Sequence, residues 1–198
     1  MKIEREHLMS EENSPDLVAV HGGLPELVDR MVSLSERTAF QEEASSLPSV
    51  GVTVADLSTI YRIAAGALSP LEGPMKQAYF QQVLEDSIII EGGMRYAWTI
   101  PLSLPLTDVE AESVAAGDSV AIRTEEGVLV AIVDDVEVFD WDKLAYVRSV
   151  YGTERFDHPG GRMVEADPRT KLLGGPIRVL PQPQNMEYGE YMLSPRQV

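Results

Sequence analysis

The sequence lacks cysteine, contains only three histidines and carries half as many basic as acidic side chains. The absence of cysteine excludes disulfides, thiolate nucleophiles and cysteine-ligated zinc. His7, His21 and His158 are too far apart in the chain for the helical or hairpin spacing of a histidine metal motif. A GxSxG nucleophile elbow, a GxxxxGKS/T loop and a GxGxxG fingerprint are also missing, so enzymatic activity of this chain by itself is weakly supported.

Basic charge is scarce, with 16 Lys and Arg against 32 Asp and Glu, and the net charge is −16. Such a chain repels phosphate backbones and anionic lipids, so we expect neither nucleic acid nor a membrane as partner. Long hydrophobic runs are absent, since the apolar run at 128–133 is far too short to span a bilayer. The charged start of the chain has no signal-peptide core, and we expect a cytoplasmic protein.

Length and composition predict one globular domain. The chain has 198 residues, of which 44% are hydrophobic, enough for a substantial core. Residues 1–16 form a polar lead-in, residues 17–180 a domain and residues 181–198 a linker. Helical patterns come first and strand patterns later, which predicts an α+β fold with a small, mostly antiparallel β-barrel and additional N-terminal helices.

Periodicity and turn residues place the individual elements. Ser33 and Glu36 have capping-box spacing before one helix, and Gly66 is a stop signal for the next. Residues 125–127 form a hairpin loop. Helices are predicted at residues 26–30, 34–46, 53–66, 76–86, 109–115 and 141–151. Strands are predicted at residues 17–20, 94–104, 119–124, 128–139 and 172–180.

Four patterns have both a functional and a structural interpretation. Asp134 and Asp135 are adjacent in a predicted strand, so they point to opposite faces and favour a charged hairpin face over a metal site. Residues 21–23 fit an anion-binding nest but also a simple chain reversal. Residues 158–162 join a histidine, a flexible turn and an arginine suited to sulfate or phosphate. Arg62 either reaches into a cleft or pairs with Asp56 or Glu72.

Read in order, several segments of residues 17–195 resemble the amino-terminal domain of ATP sulfurylases. The most specific segment, residues 66–75, resembles the family's GAFSPLEGFM signature, although Leu68 and Pro74 replace the usual aromatic residues. Other similar segments have the family patterns HGG…LVDR, W(P/T)IPI, GDxVAL, VYGT…DHPG and GG.I, at residues 21–30, 98–102, 117–122, 150–160 and 174–177.

The resemblance implies a PUA-like domain of an enzyme that joins ATP and sulfate into adenosine 5′-phosphosulfate and pyrophosphate. In that family a following domain binds ATP and sulfate through a QTRNP loop, an HxxH pair and a GRDHAG loop, none of which occurs here. We therefore expect a chain that is inactive alone, needs no cofactor or metal, and supports a catalytic domain in cis or in trans. Residues 188–196 resemble the family's lead-in to that domain.

The resemblance leaves two points open. The chain either belongs to a longer enzyme or is a free-standing PUA-like module that binds sulfate, a nucleotide or, less in keeping with its charge, RNA. A homo-oligomer is left open as well. The candidate binding or interdomain residues are Arg62, Ser69, Glu72, Gly73, His158 and Arg162, and no catalytic residue is assigned.

Overall fold

The computed structural model describes residues 24, 26–155, 157–181, 191 and 193–197. The predicted lead-in, the strand at 17–20 and the nest at 21–23 lie outside these residues. The helices are α1 (Arg37–Ser45), α2 (Val54–Ala64), α3 (Gln77–Asp86), α4 (Asp108–Glu112), α5 (Lys143–Tyr151) and α6 (Pro159–Ala166). The strands are β1 (Ser49–Val52), β2 (Ile88–Glu91), β3 (Met94–Ala97), β4 (Leu104–Leu106), β5 (Val120–Thr124), β6 (Leu129–Val133), β7 (Glu137–Asp140), β8 (Lys171–Gly174) and β9 (Ile177–Val179).

Two sheets and a separate hairpin hold the strands. One sheet has the order β1-β5-β6-β9, the other β4-β8-β7, and β2 pairs with β3. Every pair of these strands is antiparallel except β1 with β5. The α+β class and the mostly antiparallel pairing predicted from the sequence are confirmed.

The two sheets are joined by one long, bent ribbon. β6 and β7 pair with β9 and β8 respectively, so residues 129–140 and 171–179 run antiparallel through both sheets. The ribbon bends at Asp135, whose φ is 45°, and opposite it at Gly175. A Cβ on Gly175 would lie 2.5 Å from the carbonyl oxygen of Asp134, so a side chain there would block the bend.

Helix α2 is specified by its own sequence. Thr53 caps it, since the Thr53 hydroxyl accepts from the Asp56 amide at 3.3 Å and the Asp56 carboxylate accepts from the Thr53 amide at 2.9 Å. Ile60, Ile63 and Ala64 are fully buried on one face and pack against the main core. After α2 the chain turns at Gly66, whose φ is +84°.

A second, smaller core lies under α1. Phe40 and Ala44 of α1 pack with Ala121 and Ile132, whose side chains are buried in the sheet. Ser33 and Glu36 form a turn before α1 and not its cap, because the Glu36 carboxylate accepts from the Ser33 amide while the helix begins at Arg37.

Several sequence-based assignments are corrected. The strand predicted at 94–104 is broken, because β3 ends at Ala97 and β4 begins at Leu104 in a different sheet. Residues 26–30 are not helical, because Arg30 instead exchanges backbone hydrogen bonds with Ala64 and Val179. The strand predicted at 128–139 is broken at the ribbon's bend. Strand β1 was not predicted, because its pairing partner β5 lies about seventy residues further on. Residues 158–162 begin helix α6 and do not form a flexible turn.

Candidate functional site

The loop at residues 69–75 packs backbone to backbone against the glycines that follow β8. The Gly175 amide donates to the Pro74 carbonyl, and the Ile177 amide to the Glu72 carbonyl, each at 2.9 Å. A Cβ added to Gly73 would overlap the Gly175 carbonyl, and one added to Gly174 would overlap the carbonyl of Met75. The glycines at positions 73 and 174 are therefore required by close approach of two backbones.

A third segment completes this contact. The Arg30 amide donates to the Ala64 carbonyl at 2.9 Å, and its Nε donates to the Ile177 carbonyl at 2.9 Å. Leu27 lies so close to Gly66 that a Cβ added to Gly66 would overlap the Leu27 side chain. Residues 27–30, 66–75 and 174–177, which carry three of the resemblance motifs, thus meet in space. We call them the motif junction.

Three candidate residues belong to this junction, and they differ in exposure. The Ser69 hydroxyl donates to the Gly66 carbonyl at 2.7 Å, and Gly73 is buried, so both serve the local structure. The Glu72 side chain is 64% exposed and lies 3.8 Å from the Arg30 guanidinium. Glu72 therefore presents a carboxylate to solvent, beside a cavity of about 300 Å³ formed largely by the loop.

Arg62 pairs with neither carboxylate that the sequence suggested. Asp56 binds Arg169 at 2.8 Å, and Glu72 faces Arg30. Arg62 is exposed in the last turn of α2 and lines a shallow cavity of about 360 Å³. Within the residues described above, no carboxylate lies within ion-pair distance of it. The cleft alternative fits the structure, and the cavity's other wall includes Trp98 and Ile100.

His158 caps α6 and does not sit in a flexible turn. Its Nδ1 accepts from the Gly160 amide at 3.2 Å, and its ring stacks on Tyr151 at 4.5 Å between centroids. Pro159 occupies the first helical position, where its missing N–H costs nothing. Arg162 projects from the exposed face of α6. The six candidate residues thus lie in three places, on α2, in the loop at 69–75 and at α6, and Arg62 and Glu72 line different cavities.

A further cavity of about 270 Å³, which no sequence pattern predicted, lies between α2, α5 and α6. We call it the aromatic cavity, because aromatic rings dominate one wall. Trp141 and Tyr146 meet edge to face at 6.0 Å, and Tyr146 and Tyr151 at 6.3 Å. Burial, with the nearby Tyr151 hydroxyl, raises the pKa of Tyr146 to about 12. The rest of the cavity comes from segments far apart in sequence, so no local pattern identified the cavity as a whole.

The polar side of the aromatic cavity is an ion network. The Arg169 guanidinium donates to Asp56 at 2.8 Å and to Asp167 at 2.6 Å, and all three side chains are at most 16% exposed. Burial opposes ionisation of Asp167, but the hydrogen bonds from Arg169 outweigh it and hold the Asp167 pKa below its usual value. The same carboxylates raise the pKa of Arg169. The network fastens α2 to the segment after α6.

The described residues contain neither a cluster suited to a metal ion nor a helix suited to a membrane. In residues 26–155 and the other described segments, no three His, Asp or Glu side chains are placed to hold a metal ion. Asp134 and Asp135 lie at the bend between β6 and β7 and not in a strand as predicted, and their carboxylates diverge, because Asp134 binds Arg178 and Asp135 binds Lys76. No helix in the described part of the chain is long and apolar enough to cross a membrane.

The fold and the motif junction agree with comparisons to known proteins. A family profile for the PUA-like domain matches residues 18–182, which defines the class of the fold. Relatives extend this result. Sulfate adenylyltransferase from Pyropia yezoensis is 43% identical over 89% of this chain, and that from Staphylothermus marinus is 38% identical over 83%. The chain belongs to the PUA-like domain family and is similar to one part of these sulfate adenylyltransferases.

The match covers only part of these relatives. The chain spans 41% of the length of the Pyropia and Staphylothermus proteins, and 44% of the Synechococcus elongatus protein, to which it is 30% identical over 90% of its residues. Among solved structures, a hexameric APS kinase from Thiobacillus denitrificans has a TM-score of 0.66 at 22% identity. The match covers 91% of this chain and 30% of the kinase chain, and at this identity it supports the fold alone.

Proposed function

We propose that this chain is the non-catalytic amino-terminal part of a sulfate adenylyltransferase. The whole enzyme would form adenosine 5′-phosphosulfate and pyrophosphate from ATP and sulfate in cytoplasmic sulfate assimilation or dissimilation. This chain would serve as a scaffold for the nucleotidyltransferase domain. The observation that carries the proposal is that 89% of the chain aligns with only 41% of its Pyropia relative.

The chemistry of the motif junction supports a scaffold role. The segments that resemble the family engage one another through backbone hydrogen bonds and glycine contacts, whereas sulfate attack on a phosphate needs groups that stabilise developing negative charge. In the described part of the chain, the arginines at the junction and in the aromatic cavity are engaged by carboxylates. Those charge-stabilising groups would come from the following domain.

The test is a fusion of residues 1–198 to the remaining carboxy-terminal part of the Pyropia enzyme. We expect sulfate-dependent release of pyrophosphate from ATP by the fusion and only background release by this chain alone. The unmodified Pyropia enzyme serves as the positive control. Pyrophosphate release by the isolated chain would contradict the proposal, as would a cooperatively folded fusion without activity.

Arg62, Glu72 and Arg162 are the exposed candidates for contact with that domain. We expect Arg62→Ala, Glu72→Gln and Arg162→Ala to leave the melting of the isolated chain unchanged, because none of the three is buried. In the fusion, a variant at a true contact should lower activity severalfold. Arg37→Ala, on the exposed side of α1, is the matched control. A loss of cooperative melting in the isolated chain would show a structural role instead.

A regulatory module is the second candidate function. Neither Arg62 nor Arg162 has an ion-pair partner in the described segments, so both guanidinium groups are available to an anion such as sulfate or a nucleotide. Calorimetric titration of the isolated chain with sulfate, ATP and adenosine 5′-phosphosulfate tests this function. Three flat titrations would dispose of it.

A further inference from the structure

The β2–β3 hairpin turns one face to the core and the other to solvent. Ile89 is buried in the main core, and Tyr96, its Cα partner across the hairpin, packs against that core as well. Because side chains alternate along a strand, Ile90 and Arg95, which are also Cα partners, point the opposite way. Both are exposed, Ile90 by 42%. The hairpin therefore presents an isoleucine and an arginine side by side on its outer face.

This outer face continues into the shallow cavity beside Arg62. Ala97, on the same side of β3 as Arg95, lines that cavity. Ile100 forms another part of the cavity wall and is 47% exposed. The Trp98 indole donates to the Ile100 carbonyl at 2.9 Å, which holds the segment after β3 in place. We call the combined surface the hairpin face; its members are Arg62, Ile90, Arg95, Ala97 and Ile100.

The hairpin face lacks acidic side chains, although the chain has two acidic residues for each basic one. Four other cavities in the described part of the chain each have at least two carboxylates in their walls. The wall of the Arg62 cavity has none. Within the described segments, Arg62 and Arg95 also have no carboxylate at ion-pair distance. An apolar face with two such guanidinium groups is complementary to an apolar surface that carries carboxylates.

A second copy of this chain does not suit the hairpin face. A symmetric dimer through this face would bring the two arginines of one copy against those of the other, and the face offers no carboxylate to offset them. A free anion such as sulfate would pair with a guanidinium group but leave Ile90 and Ile100 in water. A neighbouring protein surface with carboxylates satisfies the charges and covers the isoleucines together.

We propose that the hairpin face docks an apolar, acidic surface of the nucleotidyltransferase domain, with Arg62 and Arg95 each paired to a carboxylate of that domain. The docking rests on the proposed function, which supplies the partner. Leu68 and Trp98, which lie in two of the segments that resemble ATP sulfurylases, also line the cavity at this face. Glu72 and Arg162, the other exposed candidates for interdomain contact, lie outside the hairpin face.

The experiment is hydroxyl-radical footprinting of the isolated chain and of its fusion to the carboxy-terminal part of the Pyropia enzyme, measured by mass spectrometry. We expect oxidation of Ile90 and Ile100 to be at least about fivefold slower in the fusion, because the centre of a docked interface excludes water. Leu34 and Val109 are the internal controls. They are 82% and 77% exposed on other parts of the chain and should be oxidised equally in both proteins.

Charge reversal tests the chemistry of the partner surface. In the fusion, Arg62→Glu and Arg95→Glu should each raise the oxidation of Ile100 towards its rate in the isolated chain and lower activity severalfold, because like charges would then face each other. Arg37→Glu, at an exposed arginine of α1, is the matched control and should change neither quantity. None of the three should alter the melting of the isolated chain, because all three side chains are exposed.

Equal oxidation of Ile90 and Ile100 in the fusion and in the isolated chain would overturn the docking, and an active fusion would then leave the proposed function standing. Protection in an inactive fusion would support the docking while contradicting the proposed function. Full protection in both charge-reversal variants would show that the partner surface is not acidic, which also overturns the proposal. The unmodified Pyropia enzyme, footprinted at the aligned positions, decides the matter if the fusion does not fold.

Discussion

Single residues matter most where two backbones touch. At Gly73 and Gly174 the neighbouring carbonyls occupy the space of a side chain. These contacts join the loop after α2 to the end of β8, which are about a hundred residues apart in the chain. The glycines of the resemblance motifs therefore have a packing reason, and it is visible only when the two segments are seen together.

We expect Gly174→Ala to lower the free energy of unfolding by about 2–3 kcal/mol, because the new methyl group must displace the backbone at Met75. Chemical denaturation of both proteins measures the difference. Gly51→Ala is the matched control, since a Cβ at Gly51 would meet only the Glu110 carboxylate at 3.6 Å. Equal effects of the two substitutions would show that the junction yields without strain.

At the scale of elements, one arginine fastens α1 to the sheet. Arg178 of β9 donates to both carboxylate oxygens of Glu43 in α1, at 2.7 and 2.9 Å. The same guanidinium donates to Asp134 at 2.7 and 2.8 Å, and it lies 5.6 Å from the Phe40 ring centroid. Helix α1 is thus held by a small apolar core and a shared cation.

The Arg178 contacts predict a pH dependence of stability. Hydrogen bonds from Arg178 lower the pKa of Glu43. Burial raises the pKa of Asp134, but hydrogen bonds from Arg178 and Ser119 outweigh burial, so the pKa of Asp134 is also lowered. A carboxyl whose pKa is lowered by folding stabilises the protein above its unfolded-state pKa. That contribution is lost as the pH falls through the folded-state pKa.

We therefore expect Arg178→Met to cost about 1 kcal/mol near pH 7, a modest value because the pairs are partly exposed. The difference from the unmodified protein should shrink as the pH falls below the ordinary carboxyl range. Denaturation at a series of pH values checks this, with Arg37→Met as the control. A difference that is constant with pH would mean that Arg178 acts through packing alone.

Helix α2 depends on the residue that caps it, Thr53. We expect Thr53→Ala to lower the free energy of unfolding by about 1 kcal/mol, because the Asp56 amide loses its acceptor and the Asp56 carboxylate loses a donor. Thermal or chemical unfolding measures the loss. Thr59→Ala, in the interior of the same helix, should be close to neutral. A neutral Thr53→Ala would show that Arg169 alone secures this end of α2.

At the scale of the whole molecule, the net charge of −16 opposes compaction. Salt screens both this repulsion and the attraction within surface ion pairs. We expect the relief of repulsion to be the larger effect, so that salt stabilises the protein. Raising sodium chloride from about 20 to about 200 mM should shift the melting temperature upward by about 2–4 °C, equivalent to about 1 kcal/mol. Calorimetry measures it. A downward shift would show that the ion pairs outweigh the net charge.

Much of the fold follows from local sequence signals. The helical spacing of Ile60 and Ala64 and the stop signal at Gly66 predict α2, and the glycine-containing loop at 125–127 predicts the β5–β6 hairpin. The order of the motifs indicates the family. These features depend on residues within a few positions of one another, where propensity, capping and alternation act directly.

The rest was decided by contacts between distant segments. Strand β1 pairs in parallel with β5, helix α6 is supported by the Tyr151 ring, and Arg169 reaches Asp56 across 113 positions. The sequence left Arg62 with two alternatives, a cleft or a pair with Asp56 or Glu72, and other arginines bind both carboxylates. The composition, charge and motifs of the sequence by itself determined the family and the α+β class. Only the tertiary structure decided the motif junction and the aromatic cavity, because packing brings their residues together and no local pattern encodes it.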